Sequence, residues 1–167
     1  MFQNEIILTD FECKLAAGVG LERQLQALEK GLKPGYGYEG TGWKEHIEGA
    51  CGEMAAAKYL NCYWNGSFNT FRTGGDVGNL QVRTRRLHWY ELIVREADRD
   101  EDYFVLVTGV TPHFFIRGYI LAKKAKAMKE CWKTVGIGKR PPAWFIPEKK
   151  LNYLPPGPAE ILLKPQS

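Results

Sequence analysis

A glycine-rich segment in the middle of the chain constrains the fold more than any other feature. Residues 72–87 read RTGGDVGNLQVRTRRL. Within them, Gly78 and Asn79 have the composition of a two-residue β-hairpin turn, because both tolerate the backbone conformations that such a turn requires. We therefore predict a hairpin in which Val77 pairs with Leu80.

The predicted hairpin brings polar side chains of different chemistry to one face of a sheet. Its register would place Asp76 directly opposite Gln81. Because side chains alternate along a strand, Arg83 shares that face. The residues between them are expected to point into the core: Leu80, Val82 and Thr84. A carboxylate, an amide and a guanidinium would then lie side by side, a grouping suited to handling phosphate.

Helical patterns occupy the first third of the chain. Residues 11–30 predict a helix that Gly18 and Gly20 weaken in the middle, so that it forms either one helix or two shorter ones. Residues 43–60 follow Thr41, a candidate N-cap, and predict a second helix with one apolar face. That face comprises Ile47, Ala50, Cys51, Met54 and Ala57.

Apolar runs in the following part of the chain predict a mixed or antiparallel sheet. They cover residues 68–72, 80–84, 90–94, 103–108 and 113–120. The uninterrupted run Phe104–Val107 is typical of a strand buried on both faces, so we expect a helix over each face. Residues 121–132 predict a basic helix, and the proline-rich segment 136–167 contains two apolar triplets that could form edge strands, 144–146 and 161–163. The fold class is therefore α/β (α+β), with a mixed central sheet flanked by helices.

Length and composition exclude several classes of protein. A chain of 167 residues with 44% hydrophobic content can enclose a core, and we expect one domain over residues 1–167. No stretch is apolar enough to span a membrane, and the N-terminus lacks the pattern of a signal peptide, so we expect a cytoplasmic protein with no membrane partner. The four cysteines form no Cys-x-x-Cys pair, which favours buried free thiols.

Positive charge is concentrated near the C-terminus. Residues 123–167 contain ten of the 23 Lys and Arg residues but only three of the 19 Asp and Glu residues. Such a surplus attracts a polyanion such as nucleic acid. A solvated lysine-rich helix is an equally good interpretation of this segment alone.

The helix predicted over residues 43–60 contains the second candidate acid, Glu53. Its side chain shares a face with His46 and Gly49, where small residues would allow close approach to a sheet. If that sheet contains the hairpin, Glu53 and Asp76 could together hold a hard divalent cation. The alternatives are a surface ion pair for Glu53 and a local turn role for Asp76.

These residues resemble the motif of the PD-(D/E)XK nuclease superfamily, and more closely that of phage-type proteins with a similar helix and a Gly-Gly-Asp-Val-Gly hairpin. In that superfamily a helix acid, an aspartate, and a Glu or Gln followed two residues later by Lys surround the catalytic metal. The corresponding residues are Glu53, Asp76, Gln81 and Arg83. The resemblance covers about residues 44–122. It implies a restriction-endonuclease-like core there, between an N-terminal helical segment at 8–32 and the basic, proline-rich region 121–167.

The resemblance also implies an activity and a set of site residues. Mg²⁺ or Mn²⁺ would be held by Glu53, Asp76, Gln81 and the backbone carbonyl of Val82, with His46 as a further candidate ligand or as a structural histidine. Arg83 would orient the scissile phosphate. Other basic residues would hold the DNA backbone: Arg72, Arg85, Arg86, Lys123, Lys124 and Lys126.

Two departures from the motif leave a second hypothesis open. Gln81 is neutral where a carboxylate is commonest, and Arg83 cannot exchange protons as Lys can. The leading hypothesis is a divalent-metal-dependent deoxyribonuclease without strong base specificity. The alternative is a catalytically inactive nucleic-acid-binding or assembly protein with the same fold.

A third possibility is a structural subunit that docks a partner, or another copy of itself, through its C-terminal region. The resemblance implies a virus or prophage setting, where DNA processing or recombination would be a natural role.

Overall fold

The computed structural model describes residues 4–32, 42–66, 75–136 and 140–158. Three helices and seven strands follow one another in these ranges. They are β1 (Glu5–Ile7), α1 (Asp10–Glu29), α2 (Trp43–Tyr59), β2 (Leu80–Arg85), β3 (Leu92–Val94), β4 (Tyr103–Val110), β5 (His113–Leu121), α3 (Ala122–Lys126), β6 (Trp132–Lys133) and β7 (Ala143–Ile146). The predicted α/β (α+β) class is confirmed, and a restriction-endonuclease-like arrangement stays a prediction.

The strands form two sheets. The main sheet has the order β1-β5-β4-β2, in which β2 runs parallel to β4 and the other neighbours are antiparallel. The second, antiparallel sheet has the order β3-β7-β6. The prediction of a mixed sheet is therefore confirmed for the larger of the two. Within the described residues, β2 is the strand at one edge of this sheet.

Strand β4 separates two hydrophobic cores. Val105 and Val107 pack with α2 and its neighbours, whereas Phe104 and Leu106 pack with β3, β7 and α3. Burial of the apolar run on both faces is thus confirmed. The expectation of a helix over each face is wrong, because the second face is covered mainly by the small sheet.

The predicted basic helix over residues 121–132 is much shorter in the structure. Only Ala122–Lys126 is α-helical, and a 3₁₀ turn at Lys129–Cys131 leads directly into β6. Trp132 pairs with Trp144 in the second sheet, so strand pairing takes the chain out of the helix. Because β7 pairs with β6 on one side and with β3 on the other, it lies in the middle of its sheet, not at an edge as predicted.

Helix α1 is continuous through both of its glycines. A Cβ atom at Gly20 would lie 2.6 Å from the carbonyl oxygen of His46 and from the Cα atom of Ile47, so glycine is needed where α1 packs on α2. The helix ends in a Schellman motif, because Gly31 has a φ of +61° and Leu32 donates its N–H to the carbonyl of Ala27 at 2.9 Å.

Helix α2 lies directly against β2. Its N-cap is Gly42, with a φ of +84°, rather than Thr41, which falls outside the described residues. A Cβ atom at Gly52 would overlap the side chain of Thr84, so only glycine permits this distance between helix and strand. Gly52, which lies beside the face predicted from the sequence, therefore brings α2 onto the sheet, whereas Gly49 on that face has open space around it.

Three further predictions concern two strands, the cysteines and membrane-spanning helices. The segments 68–72 and 161–163, predicted as strands, lie outside the described residues. All four cysteines are free thiols, as predicted, but only Cys51 and Cys131 are buried. Among the described residues, no helix has the length and apolar character needed to cross a membrane.

Candidate functional site

The predicted hairpin turn is present. Val77 and Leu80 exchange backbone hydrogen bonds of 3.1 and 2.9 Å. Gly78 has a φ of +57°, and Asn79 does not adopt a positive φ. A positive φ at the first turn residue alone is the pattern of a type II′ turn, which explains why glycine occupies this position.

The register beyond the turn differs from the predicted one. The N–H groups of Asp76 and Val77 both donate to the carbonyl of Leu80, at 2.8 and 3.1 Å. Two residues thus oppose one, which is the geometry of a β-bulge. Asp76 therefore does not stand opposite Gln81. Its carboxylate instead accepts the N–H of Val82 at 2.7 Å and lies along the edge of β2.

Side chains alternate along β2 as predicted. Leu80 and Val82 are buried in the core beneath α2. Arg83 faces the opposite side of the sheet, where its guanidinium lies 4.7 Å from the centre of the Phe104 ring and donates to Asp98 at 2.9 Å. Arg83 is therefore separated by the sheet from the helix that bears Glu53.

Glu53 is buried, with 6% of its surface exposed, and both carboxylate oxygens are engaged. Arg23 of α1 donates to them through two nitrogens, at 2.7 and 2.8 Å, which is a bidentate ion pair. The indole N–H of Trp64 adds a third hydrogen bond of 3.1 Å. Glu53 thus forms an ion pair, as in the alternative interpretation, but inside the protein and not on its surface.

Glu53 and Asp76 interact electrostatically. Burial and the negative charge of Glu53 raise the pKa of Asp76 to about 6, although the Val82 N–H, Arg83 and Arg23 act in the opposite direction. Two carboxylates influence each other in this way only when they lie near one another. The structure therefore brings together the two acids that the sequence singled out.

Arg23 is the cation shared by these two acids. Burial alone would lower its pKa, but the hydrogen bonds and charge of Glu53, together with the charge of Asp76, raise the pKa above its ordinary value. Sequence reasoning missed Arg23 and Trp64. A signal for Arg23 does exist, because it follows Ala16 and Gly20 at helical spacing on the face of α1 that packs inward.

The donor set suits a weakly held divalent cation. Mg²⁺ is commonly bound by one or two carboxylates, with water and substrate oxygens completing its shell. Since the N–H of Val82 points to Asp76, the carbonyl of Val82 points to the same edge of the strand. Among the described residues, no group of three His, Cys, Asp or Glu side chains forms a metal cluster. A cation bound by Glu53 would also have to displace Arg23.

His46 lies on α2 near this arginine. Burial and the positive charge of Arg23 lower the pKa of its imidazole, so that the ring is neutral at neutral pH. Gln81 is half-buried on the face of β2 that also bears Arg83.

The residues predicted to bind DNA differ in their contacts and in their exposure to solvent. Arg85 stacks 4.7 Å from the centre of the Tyr90 ring. Its pKa is lowered by burial and by the nearby charges of Arg95 and Arg140, while Tyr90 and Glu91 act in the opposite direction. Arg86, next to Arg85 in the chain, is exposed. Lys123 and Lys124 are also exposed but follow the end of β5 that pairs with Tyr103, at the end of the sheet away from Arg85.

Lys126 differs because its ammonium group is engaged within the protein. It donates to the carbonyl of Asp98 at 2.5 Å and to the carboxylate of Asp100 at 2.8 Å. Arg72 lies outside the described residues.

Comparison with protein-family models, with curated proteins and with solved structures found no match.

Proposed function

We propose that this protein is a divalent-metal-dependent nuclease that hydrolyses DNA phosphodiester bonds, with Glu53 and Asp76 as its principal metal ligands. The observation that carries the proposal is the proximity of these two acids: burial, together with the charge of Glu53, raises the pKa of Asp76 to about 6. Perturbed acids of this kind are concentrated at functional sites. The resemblance of their sequence context to a nuclease motif points to the same chemistry.

Each residue has a distinct part in this proposal. Asp76 and Glu53 supply the negative charge, and the carbonyl of Val82 is a further candidate ligand. Gln81, the fourth predicted ligand, lies on the face of β2 that bears Arg83, so the sheet separates its side chain from Glu53. When bound, Mg²⁺ or Mn²⁺ would lower the pKa of a water molecule and polarise the phosphodiester. Arg23, once released from Glu53, has a planar guanidinium suited to a phosphate oxygen pair.

Basic and aromatic residues beyond β2 support DNA as the substrate. Arg85 ends the strand whose edge Asp76 occupies, Arg86 follows it directly, and the ring of Trp89 is 63% exposed. Basic side chains hold a phosphate backbone without reading its sequence, and exposed aromatic rings stack on unpaired bases. The substrate we propose is therefore DNA with single-stranded or frayed ends, cut with little base preference. Four free thiols fit a cytoplasmic location.

A second candidate function is a non-catalytic DNA-binding or assembly protein. Two observations favour it. Arg23 engages both oxygens of Glu53, where it takes the place of a cation, and Arg83 is paired with Asp98 on the other face of the sheet. In this case the acid pair and Arg23 would stabilise the fold, and the basic surface alone would bind DNA.

A cleavage assay separates the two functions. Linear, single-stranded and branched DNA would be incubated with the protein and Mg²⁺, Mn²⁺ or EDTA. Glu53→Gln and Asp76→Asn are the test variants, and Glu22→Gln on the exposed side of α1 is the matched control. Folding of each variant would be checked by circular dichroism. We expect metal-dependent cleavage that both test variants lose and the control retains.

Metal binding gives a second readout that does not depend on the correct substrate. Mg²⁺ or Mn²⁺ should raise the melting temperature of the wild-type protein more at pH 7 than at pH 5, because protonated Asp76 is a poor ligand. Asp76→Asn should abolish this difference. DNA binding without cleavage or metal stabilisation would overturn the nuclease proposal and support the second function.

A further inference from the structure

The outer face of α1 presents an apolar stripe to solvent. Its apolar residues are spaced three or four apart, except that Gly18 takes the place between Leu15 and Leu21, and they are between 40% and 73% exposed. They are Phe11, Leu15, Leu21, Leu25 and Leu28, followed by Leu32 just after the helix. Helices of soluble proteins normally turn such a stripe inward, and the inward face of α1 is already occupied by Ala16, Gly20 and Gln24. The stripe is therefore additional to the face that packs on α2.

Gly18 lies within this stripe without a role in the described fold. A Cβ atom there would meet nothing within 4 Å, in contrast to Gly20, whose Cβ atom would collide with α2. Glycine inside a helix costs about 1 kcal/mol relative to alanine. A residue that carries this cost but has open space around it fits a position where another helix approaches closely.

The charges beside the stripe are complementary under a two-fold rotation. Lys14 lies near the start of α1 and Glu29 at its end, and neither forms an ion pair with another described residue. The last turn contains no basic residue, so the carboxylate of Glu29 lies unfavourably at the negative end of the helix dipole. A lysine from an antiparallel helix would correct this.

We infer that α1 is the interface of a homodimer, in which it packs antiparallel against α1 of a second copy. In the register that covers the whole stripe, Leu15 lies opposite the partner's Leu28, and Gly18 accommodates the partner's Leu25. Lys14 then lies beside the partner's Glu29. The same three contacts recur on the other side of the two-fold axis, as an isologous interface requires.

A second copy explains these features better than an unrelated partner. The ends of the stripe, the glycine and the charges of Lys14 and Glu29 are matched by the same helix turned end for end, and only Leu21, next to the two-fold axis, lies opposite a charged residue, Glu22. An exposed apolar patch of this length is also unusual on a monomeric protein. The interface leaves Glu53 and Asp76 free, because Arg23 and the residues around it lie on the inward side of α1.

Sedimentation equilibrium over a range of protein concentrations tests the inference. We expect a dimer for the wild-type protein. Leu25→Glu should raise the dissociation constant at least about tenfold, which corresponds to 1.4 kcal/mol. Gly18→Leu should do the same, although its side chain has open space in the monomer. Tyr63→Glu, at a residue 87% exposed elsewhere, is the control and should leave the constant unchanged.

A charge exchange tests the direction of the pairing. Lys14→Glu and Glu29→Lys should each weaken the dimer, and the double variant should restore the wild-type constant. A wild-type protein that stays monomeric at millimolar concentration would overturn the inference. So would a dimer that Leu25→Glu leaves intact. Failure of the double variant to restore binding would refute the antiparallel register.

Discussion

Two arginine–carboxylate pairs lie on opposite faces of the main sheet, on either side of β2. Arg23 holds Glu53 through two hydrogen bonds in a buried position, and Trp64 reinforces the carboxylate. Arg83 holds Asp98 through a single hydrogen bond of 2.9 Å, and 31% of the arginine side chain is exposed. Each pair contains one residue of the nuclease-like motif and one partner that the motif does not name.

The difference between the pairs determines which motif residue is more available to a ligand. Separating a buried bidentate pair leaves an uncompensated charge, which is strongly unfavourable unless another ion replaces the lost partner. Separating a partly exposed pair costs little, because water solvates both groups. Arg83 can therefore turn to a phosphate readily, whereas Glu53 can bind a cation only in exchange for Arg23.

Removing Arg23 should have the largest effect on stability. Arg23→Ala leaves the charge of Glu53 buried and unpaired, so we expect the free energy of unfolding to fall by about 3–5 kcal/mol in urea denaturation. Mg²⁺ should restore part of this loss if the acid pair binds a cation. The double variant Arg23→Ala with Glu53→Ala should be less destabilised than the two single losses added together. A loss below 1 kcal/mol in Arg23→Ala would show that the pair is not the buried unit described above.

The contact that brings α2 to the sheet can be broken at a single glycine. Gly52→Ala forces a methyl group into Thr84, and we expect a loss of about 1–3 kcal/mol from overpacking. Gly49→Ala on the same helix is the matched control, since its Cβ atom meets nothing within 4 Å. Because alanine is the better helix former, the control should be neutral or stabilised by up to about 1 kcal/mol. Equal effects in thermal unfolding would contradict this packing.

The acid pair should also make stability depend on pH. The folded protein binds the Asp76 proton up to about pH 6, whereas the unfolded chain releases it near 3.8. The stabilisation that this proton contributes is fully present below the pKa of the unfolded chain. It is lost as the pH rises towards 6, and the free energy of unfolding then falls by at most about 1.4 kcal/mol per pH unit.

Urea unfolding between pH 4 and 7 measures this effect. The difference between the wild-type protein and Asp76→Asn isolates it from other groups such as His46, whose lowered pKa acts in the opposite sense. A difference that does not change with pH would contradict the raised pKa.

The smallest effect is expected at the exposed pair. A double-mutant cycle with Arg83→Met and Asp98→Asn should give a coupling energy below about 1 kcal/mol. The cycle is needed because Asp98 also accepts the backbone N–H of Arg95 at 2.7 Å, so its single variant loses more than the ion pair. A coupling energy as large as that of Arg23 with Glu53 would remove the contrast between the two faces.

Local features of the fold were predictable because they depend on neighbouring residues. The turn at Gly78 and Asn79 follows from backbone conformations that only a few residue types tolerate. The inward direction of Leu80 and Val82 follows from the alternation of side chains along any strand. The sequence alone therefore established both helices near the N-terminus, most strands, the faces of β2 and the two acids of the candidate site.

Only the tertiary structure determined the partners of those acids. Arg23 lies 30 residues before Glu53, and they meet because Gly20 lets α1 settle onto α2. Asp98 reaches Arg83 only after the intervening chain has folded into the second sheet. The pairs Arg23–Glu53 and Arg83–Asp98 join residues that are 30 and 15 positions apart, so they are selected by the packing of whole elements. Helical spacing places Arg23 on the inward face of α1, but it does not identify Glu53 as its partner.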